Sequence, residues 1–138
     1  MIDLTWYDFF EIGVDFIDED HKHLLDIMQN VQNAANEADY PACAKKLNLL
    51  LIEAGNHFAR EETFLAKSGY PKLDIHKDYH KQLLIKADMT RKICEGINSP
   101  HDIQECVDGM AKFLIDDILR GDIQFKSFLQ HEGIIKQE

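Results

Sequence analysis

The chain has 138 residues, with 25 acidic against 15 basic side chains and a formal net charge of −10 when histidine is neutral. This length is typical of one domain with its own core, and we predict a single domain over residues 1–138. The 45% apolar fraction excludes general disorder. The acidic excess argues against nucleic acid or an anionic membrane as partner, because both attract a basic surface.

The start of the chain and its cysteines indicate a compartment. Residues 1–6 lack the basic start and apolar run of a signal peptide, and no stretch approaches the roughly 20 apolar residues of a membrane span. Cys43, Cys94 and Cys106 show neither a disulfide framework nor the short spacing of a zinc knuckle. We therefore expect reduced thiols in a cytoplasmic protein.

Four segments carry the apolar period of a helix. After an apolar arm over residues 1–16, side chains recur at alternating steps of three and four residues in segments 17–35, 47–64, 73–97 and 103–117. This alternation is typical of a helix that packs nearly parallel to its neighbours.

The breaks between these segments are short. They lie at residues 39–41, 68–71 and 98–100, where Pro41 can open a helix, Gly69 can end one and Ser99 can cap the next. Short connections favour antiparallel neighbours, so we predict an all-α, up-down-up-down four-helix bundle. The tail after Gly121 either extends the fourth helix or forms a short fifth.

Six ionisable residues occupy positions where the bundle seam should be apolar: His21, His57, Glu61, His76, His80 and Asp117. One helical turn is 3.6 residues, so His57 and Glu61 share a helix face. His76 and His80 share a face in the same way. A lone seam histidine is more often a hydrogen-bonded core residue, and pairs of histidines one turn apart also occur on exposed faces. Four histidines on three helices, together with a carboxylate, favour a metal centre, because imidazole and carboxylate are metal ligands.

The other three histidines are not predicted to bind metal. His23 lies about 200° around the helix from His21, and His101 lies about 24 Å of helix from Asp117. His131 belongs to the polar C-terminal tail.

These residues resemble the bacterial hemerythrin family. The resemblance rests on residues 13–22 (GVDFIDEDHK), residues 57–62 (HFAREE), Tyr70-Pro71 and residues 76–80 (HKDYH), and it extends over essentially the whole chain, including Trp6. It implies a four-helix bundle around two non-haem iron ions with an oxo or hydroxo bridge, which bind O2 or a related small diatomic or peroxide ligand. We expect a monomer or weak oligomer.

The resemblance also implies roles for individual residues. His21 and His57 would hold the iron that keeps a position open for O2, and His76 and His80 would hold the other iron. Glu61 and Asp122 would bridge the two metals. Leu25 and Leu114 are our candidates for the apolar residues that line the O2 pocket and exclude water.

One departure from the family pattern affects the metal ligands. The family has a histidine five residues before the bridging aspartate, preceded by a tryptophan, and this chain has Asp117 and Phe113 in that region. An ionised Asp117 ligand would favour the diferric state and faster autoxidation. A shorter side chain that fails to reach would instead leave the second iron an exchangeable position, or allow manganese or zinc. The third alternative is a solvated Asp117 beside a weakened site.

The position of Asp122 requires a local change in the helix. It lies about 140° around an ideal helix from Asp117, so both can face the metals only if the helix widens or distorts, as Gly121 would allow. Asp116 points away from the seam.

Three functions remain open from the sequence. The one we expect is a non-enzymatic O2-binding protein for storage, delivery or sensing. The second is a di-iron redox enzyme acting on O2, peroxide or nitric oxide. The third is a structural or signalling bundle with a vestigial or non-iron metal.

Overall fold

A computed structural model describes residues 1–136, so the last two residues of the predicted domain lie outside the described part. The described chain contains helices and no strand, and the elements are a 3₁₀ turn at Asp8–Phe10, α1 at Asp15–Asn36, α2 at Tyr40–Lys67, α3 at Leu73–Glu95, α4 at Pro100–Phe113, a π-helical segment at Leu114–Leu119, and α5 at Ile123–His131. Helix α1 packs against α2 and α4, and α3 packs against the same two. The predicted four-helix bundle is confirmed. No helix within residues 1–136 is both long and apolar enough to cross a membrane.

The helix ends follow from local side chains. The Asp39 carboxylate accepts from the backbone N–H of Ala42 at the start of α2, and the Ser99 hydroxyl accepts from that of Asp102 at the start of α4. Helix α2 ends at Lys67 and is followed by Gly69, whose φ of +74° is the left-handed conformation that glycine adopts at little cost. The next backbone N–H, of Tyr70, donates to the Leu65 carbonyl and closes this cap.

The N-terminal arm and α5 pack together at one end of the bundle. The buried carboxylate of Asp18 accepts from the backbone N–H groups of Ile12 and Gly13 at 2.8 and 3.0 Å, which fixes the arm to the first turn of α1. A separate apolar cluster at this end comprises Ile12, Ile17, Leu65, Tyr70, Phe125 and Leu129. The tail therefore forms a short fifth helix, one of the two predicted alternatives.

The helix widens directly after α4. In the π-helical segment the backbone N–H of Arg120 donates to the Ile115 carbonyl, five residues back. The Tyr79 hydroxyl, from α3, donates to the Asp117 carbonyl at 2.6 Å. This is the distortion expected before Asp122.

Two of the three cysteines form a disulfide. Cys94 near the end of α3 and Cys106 on α4 are bonded, with their Cα atoms 5.9 Å apart, and Cys43 is a buried free thiol. The prediction of reduced thiols is therefore wrong for this pair, because two antiparallel neighbours bring together residues whose spacing along the chain carries no signal. Disulfides are typical of oxidising compartments, so this disulfide does not support the predicted cytoplasmic location, which stays a prediction.

Candidate metal centre

Six ionisable side chains from α1, α2, α3 and the residue that precedes α5 converge in the core. His21 comes from α1, and His57 and Glu61 come from α2. His76 and His80 come from α3, and Asp122 follows the π-helical segment. All are buried, and five are the seam histidines and glutamate of the sequence analysis: His21, His57, Glu61, His76, His80 and Asp122. Burial of so many ionisable groups is costly unless cations compensate it.

The first group of donors surrounds one point. His21 Nε2 lies 3.1 Å from His57 Nε2 and 2.8 Å from Asp122 Oδ2. His57 Nε2 lies 2.9 Å from Glu61 Oε2. One donor atom from each of these four residues falls within 4.8 Å of all the others.

The second group shares both carboxylates with the first. His76 Nε2 lies 2.7 Å from Glu61 Oε1 and 3.5 Å from Asp122 Oδ1, and His80 Nε2 lies 3.1 Å from Glu61 Oε1. Each carboxylate thus directs one oxygen to each pair of histidines. That is the arrangement of two carboxylates that bridge a pair of metal ions.

The donor atoms fit metal ions better than they fit one another. Within residues 1–136, His80 Nε2 and Glu61 Oε2 are buried without a hydrogen-bond partner, although imidazole and carboxylate atoms lie about 3 Å away. Buried polar atoms are rarely left in this state. Nitrogen and carboxylate oxygen donors in this number suit iron, manganese or zinc.

Two acidic side chains orient the ligating histidines from outside. The Asp20 carboxylate lies 2.9 Å from His57 Nδ1 and also accepts from Arg60, while the Glu62 carboxylate lies 2.9 Å from His80 Nδ1. An Nδ1–H that donates to a carboxylate leaves Nε2 free for a metal. The sequence analysis gave these two carboxylates no role, and their only signal is that each adjoins a metal-ligand candidate along the chain.

Asp117 does not join the cluster. Its side chain is 33% exposed and its Oδ2 lies 3.5 Å from Lys86 Nζ, because the widened turns direct Asp122 inward and leave Asp117 at the surface of the bundle. The faster autoxidation predicted from an Asp117 ligand requires this carboxylate among the donors, so the structure gives that prediction no support. Asp116 is exposed, and its Oδ1 lies 3.9 Å from Arg120 Nη1.

The two leucines predicted for the O2 pocket line different pockets. Leu114 lines an apolar cavity of about 10 Å³ together with Phe58, whose ring stacks on His80 with 3.9 Å between the ring centroids. Leu25 is also buried, but it lines a depression beneath the N-terminal arm with Trp6. Leu114 thus approaches His80 through Phe58, while Leu25 lies one turn from His21 on the same face of α1.

The remaining histidines lie outside the centre. His23, His101 and His131 are all exposed. His101 forms a group with Asp102 and Glu105 that is exposed throughout, and exposed groups of this kind are ordinary surface features.

The shared carboxylates set the protonation of the metal-free cluster. Burial by itself lowers the pKa of His57 and of His76, but hydrogen bonds and attraction from Asp122 and Glu61 outweigh burial. The pKa of His57 rises to about 10 and that of His76 to about 9. Burial raises the pKa of Asp122, whereas its contacts with Glu61 and three histidines hold that pKa well below the usual range.

Metal loading at pH 8 should therefore release about two protons per chain, one each from His57 and His76. A ligating imidazole must be deprotonated, and both raised pKa values lie above 8. We expect apparent metal affinity to rise by about tenfold per pH unit for each proton displaced. The measurement is dye-detected proton release on anaerobic addition of Fe(II).

The pH dependence separates this source of protons from a bridging water. Release from the histidines should vanish as pH rises through 9 to 10, while a proton lost from water would persist there. The same pairing should stabilise the metal-free fold fully below the ordinary histidine pKa of 6.5, and this contribution should be lost as the pH rises from there through 9 to 10. No release at pH 8 would contradict the raised pKa values.

Comparison with known proteins agrees with this geometry. The sequence profile of the hemerythrin HHE cation-binding domain matches residues 12–122. A bacteriohemerythrin of Clostridium acetobutylicum is 29% identical over 125 residues, which are 88% of this chain and 97% of that protein. A myohemerythrin of Theromyzon tessulatum is 26% identical over 124 residues, 90% of this chain and 92% of its own length. A bacteriohemerythrin of Methylococcus capsulatus is 31% identical over 88 residues, 63% of this chain and 67% of that protein.

Proposed function

This chain belongs to the hemerythrin HHE cation-binding family, whose domain holds a di-iron centre, and from that premise we propose that it binds O2 reversibly for storage, delivery or sensing. The observation that carries the proposal is the pair of buried carboxylates, each with one oxygen directed at each histidine pair. This donor set would hold two ferrous ions, which would supply the electrons that reversible O2 binding requires.

The proposed ligands are His21 and His57 for one iron, and His76 and His80 for the other. Glu61 and Asp122 bridge the two ions. Asp117 is left out of this set because its carboxylate faces Lys86. Asp20 and Glu62 hold the rings of His57 and His80 in the orientation that presents Nε2 to the metal.

Burial supports reversible binding rather than oxidation. The ligand side chains are at most 4% exposed, so water and protons have little access to bound O2. The apolar cavity at Leu114 has room for about one water-sized molecule, and its lining favours an uncharged diatomic over water.

Metal analysis and absorption spectra under argon and air test the proposal. We expect two irons per chain and an absorption band that appears with air, disappears under argon and returns over several cycles. A band that decays irreversibly in the first cycle would overturn reversible binding and favour the alternative, a redox enzyme acting on O2, peroxide or nitric oxide. Absence of iron after native purification would overturn both.

Two leucine variants test the pocket. Leu114→Ala enlarges the apolar cavity and should speed autoxidation of the O2 adduct several-fold, measured as decay of the absorption band in air. Leu47→Ala is the matched control, because it removes an equally buried leucine that lies about three turns before His57 on α2 and does not line the cavity. Each variant should lose about 2–5 kcal/mol of stability. Equal autoxidation rates would remove Leu114 from the pocket.

A further inference from the structure

The two metal positions have the same number of protein donors. His21 and His57 serve one position, His76 and His80 serve the other, and both positions share Glu61 and Asp122. We propose, on the basis of the di-iron function above, that the metal held by His76 and His80 keeps a position open to small anions, so that the centre takes an exogenous ligand at each metal. The family pattern fills this position with a fifth histidine.

The donor count leaves room at the second metal. Two imidazole nitrogens and two carboxylate oxygens make four protein donors, and a solvent bridge between the metals would make five. Iron in histidine and carboxylate sites commonly takes six ligands and keeps positions open for exogenous ones. Among the described residues, no further histidine, cysteine or carboxylate has a donor atom within the second group.

The Asp117 carboxylate is turned away from the open position of the second metal. It pairs with Lys86, and the Asp117 backbone carbonyl accepts from the Tyr79 hydroxyl at 2.6 Å. Aspartate is also shorter than histidine. The Asp117 carboxylate is therefore turned towards Lys86 and is shorter than the histidine of the family pattern, whose length an imidazole at this position would restore.

A surface depression lies beside Asp117, and Tyr79 separates it from the second metal position. Its volume is about 420 Å³, and its lining includes Lys86, Lys112, Phe113 and Asp117. The two lysines balance the charges of Asp116 and Asp117 in this lining, so an anion meets no net negative charge there although the chain as a whole is acidic. Tyr79 is half-buried between this depression and the cluster, since it contacts the Asp117 carbonyl and its ring centroid lies 6.2 Å from that of His76.

Azide titration of the diferric protein tests the proposal. We expect two azides per pair of irons, each with its own charge-transfer band, counted by absorption and by calorimetry. One azide per chain that retains two irons would overturn the proposal and leave the di-iron function intact. Failure to hold two irons would instead count against the proposed function, so the two failures are distinguishable.

Variants at Asp117 locate the second azide. Asp117→His supplies the family's missing donor, and we expect it to lower the stoichiometry from two azides to one while two irons remain. Asp116→His is the matched control, because it adds a histidine at the neighbouring exposed position and should leave two azides. Asp117→Asn should also leave two, since this carboxylate is not a ligand. A changed metal content or azide count in Asp117→Asn would overturn the assignment even if Asp117→His fails to fold.

Discussion

Glu61→Gln should reduce the iron content from two ions per chain to at most one. The substitution keeps the size of the side chain but replaces one carboxylate oxygen by an amide N–H₂ group, which donates hydrogen bonds and does not ligate metals. Oε1 lies 2.7 Å from His76 Nε2 and Oε2 lies 2.9 Å from His57 Nε2, so the variant can serve only one side of the centre. Metal analysis after reconstitution under argon measures the loss.

Glu62→Gln is the control for this prediction. Glu62 adjoins Glu61 in the chain, but its carboxylate contacts the outer nitrogen of His80. We expect this variant to retain two irons with an affinity lowered by about 10–100-fold, the usual effect of losing an outer partner of a metal ligand. Wild-type iron content and affinity in Glu61→Gln would show that Glu61 is not the bridge.

Gly121→Ala should destabilise the fold and weaken the metal centre together. A Cβ at this position would clash with the backbone carbonyl oxygen of Asp117 and lie 3.0 Å from the Tyr79 ring. Since backbone atoms must move to relieve the clash, we expect a loss of about 1–3 kcal/mol in the free energy of unfolding. The displacement acts on Asp122, the next residue, so iron content should fall as well. Denaturant unfolding of the metal-free protein and metal analysis measure the two effects.

Gly109→Ala is the control for this prediction, and we expect the opposite effect on stability. Gly109 lies in α4, upstream of the π-helical segment that leads to Gly121. Gly109 is exposed within α4, and no atom of the described chain lies close enough to contact an added Cβ. Alanine there should stabilise the protein by about 0.5–1 kcal/mol, because glycine is costly in a helix interior. If Gly121→Ala proves as stable as Gly109→Ala and holds two irons, the close approach at Gly121 does not position Asp122.

The sequence by itself predicted the bundle and the pairs of ligand candidates on single helices. Alternating steps of three and four residues specify a helix and the face it buries. His57 and Glu61 share a face in any α-helix, as do His76 and His80, whatever their surroundings. The structure has both pairs buried on their predicted seams.

Whether Asp117 joins Asp122 at the metals depended on tertiary structure. On an ideal helix the two residues point about 140° apart, so the sequence predicted a distortion that would let both carboxylates face the metals. The π-helical turn, with Tyr79 bound to its carbonyl, directs Asp122 to the histidines and Asp117 to Lys86.

Contacts between helices were likewise invisible in the sequence. The Cys94–Cys106 disulfide, the Asp20–His57 and Glu62–His80 hydrogen bonds, and the separate locations of Leu25 and Leu114 all depend on how far one helix slides along its neighbour. Local periodicity fixes which face of a helix is buried, because it depends only on residues a turn apart. The axial offset between two neighbouring helices follows from packing of the whole core. Only the folded chain therefore determines which side chains of different helices come into contact.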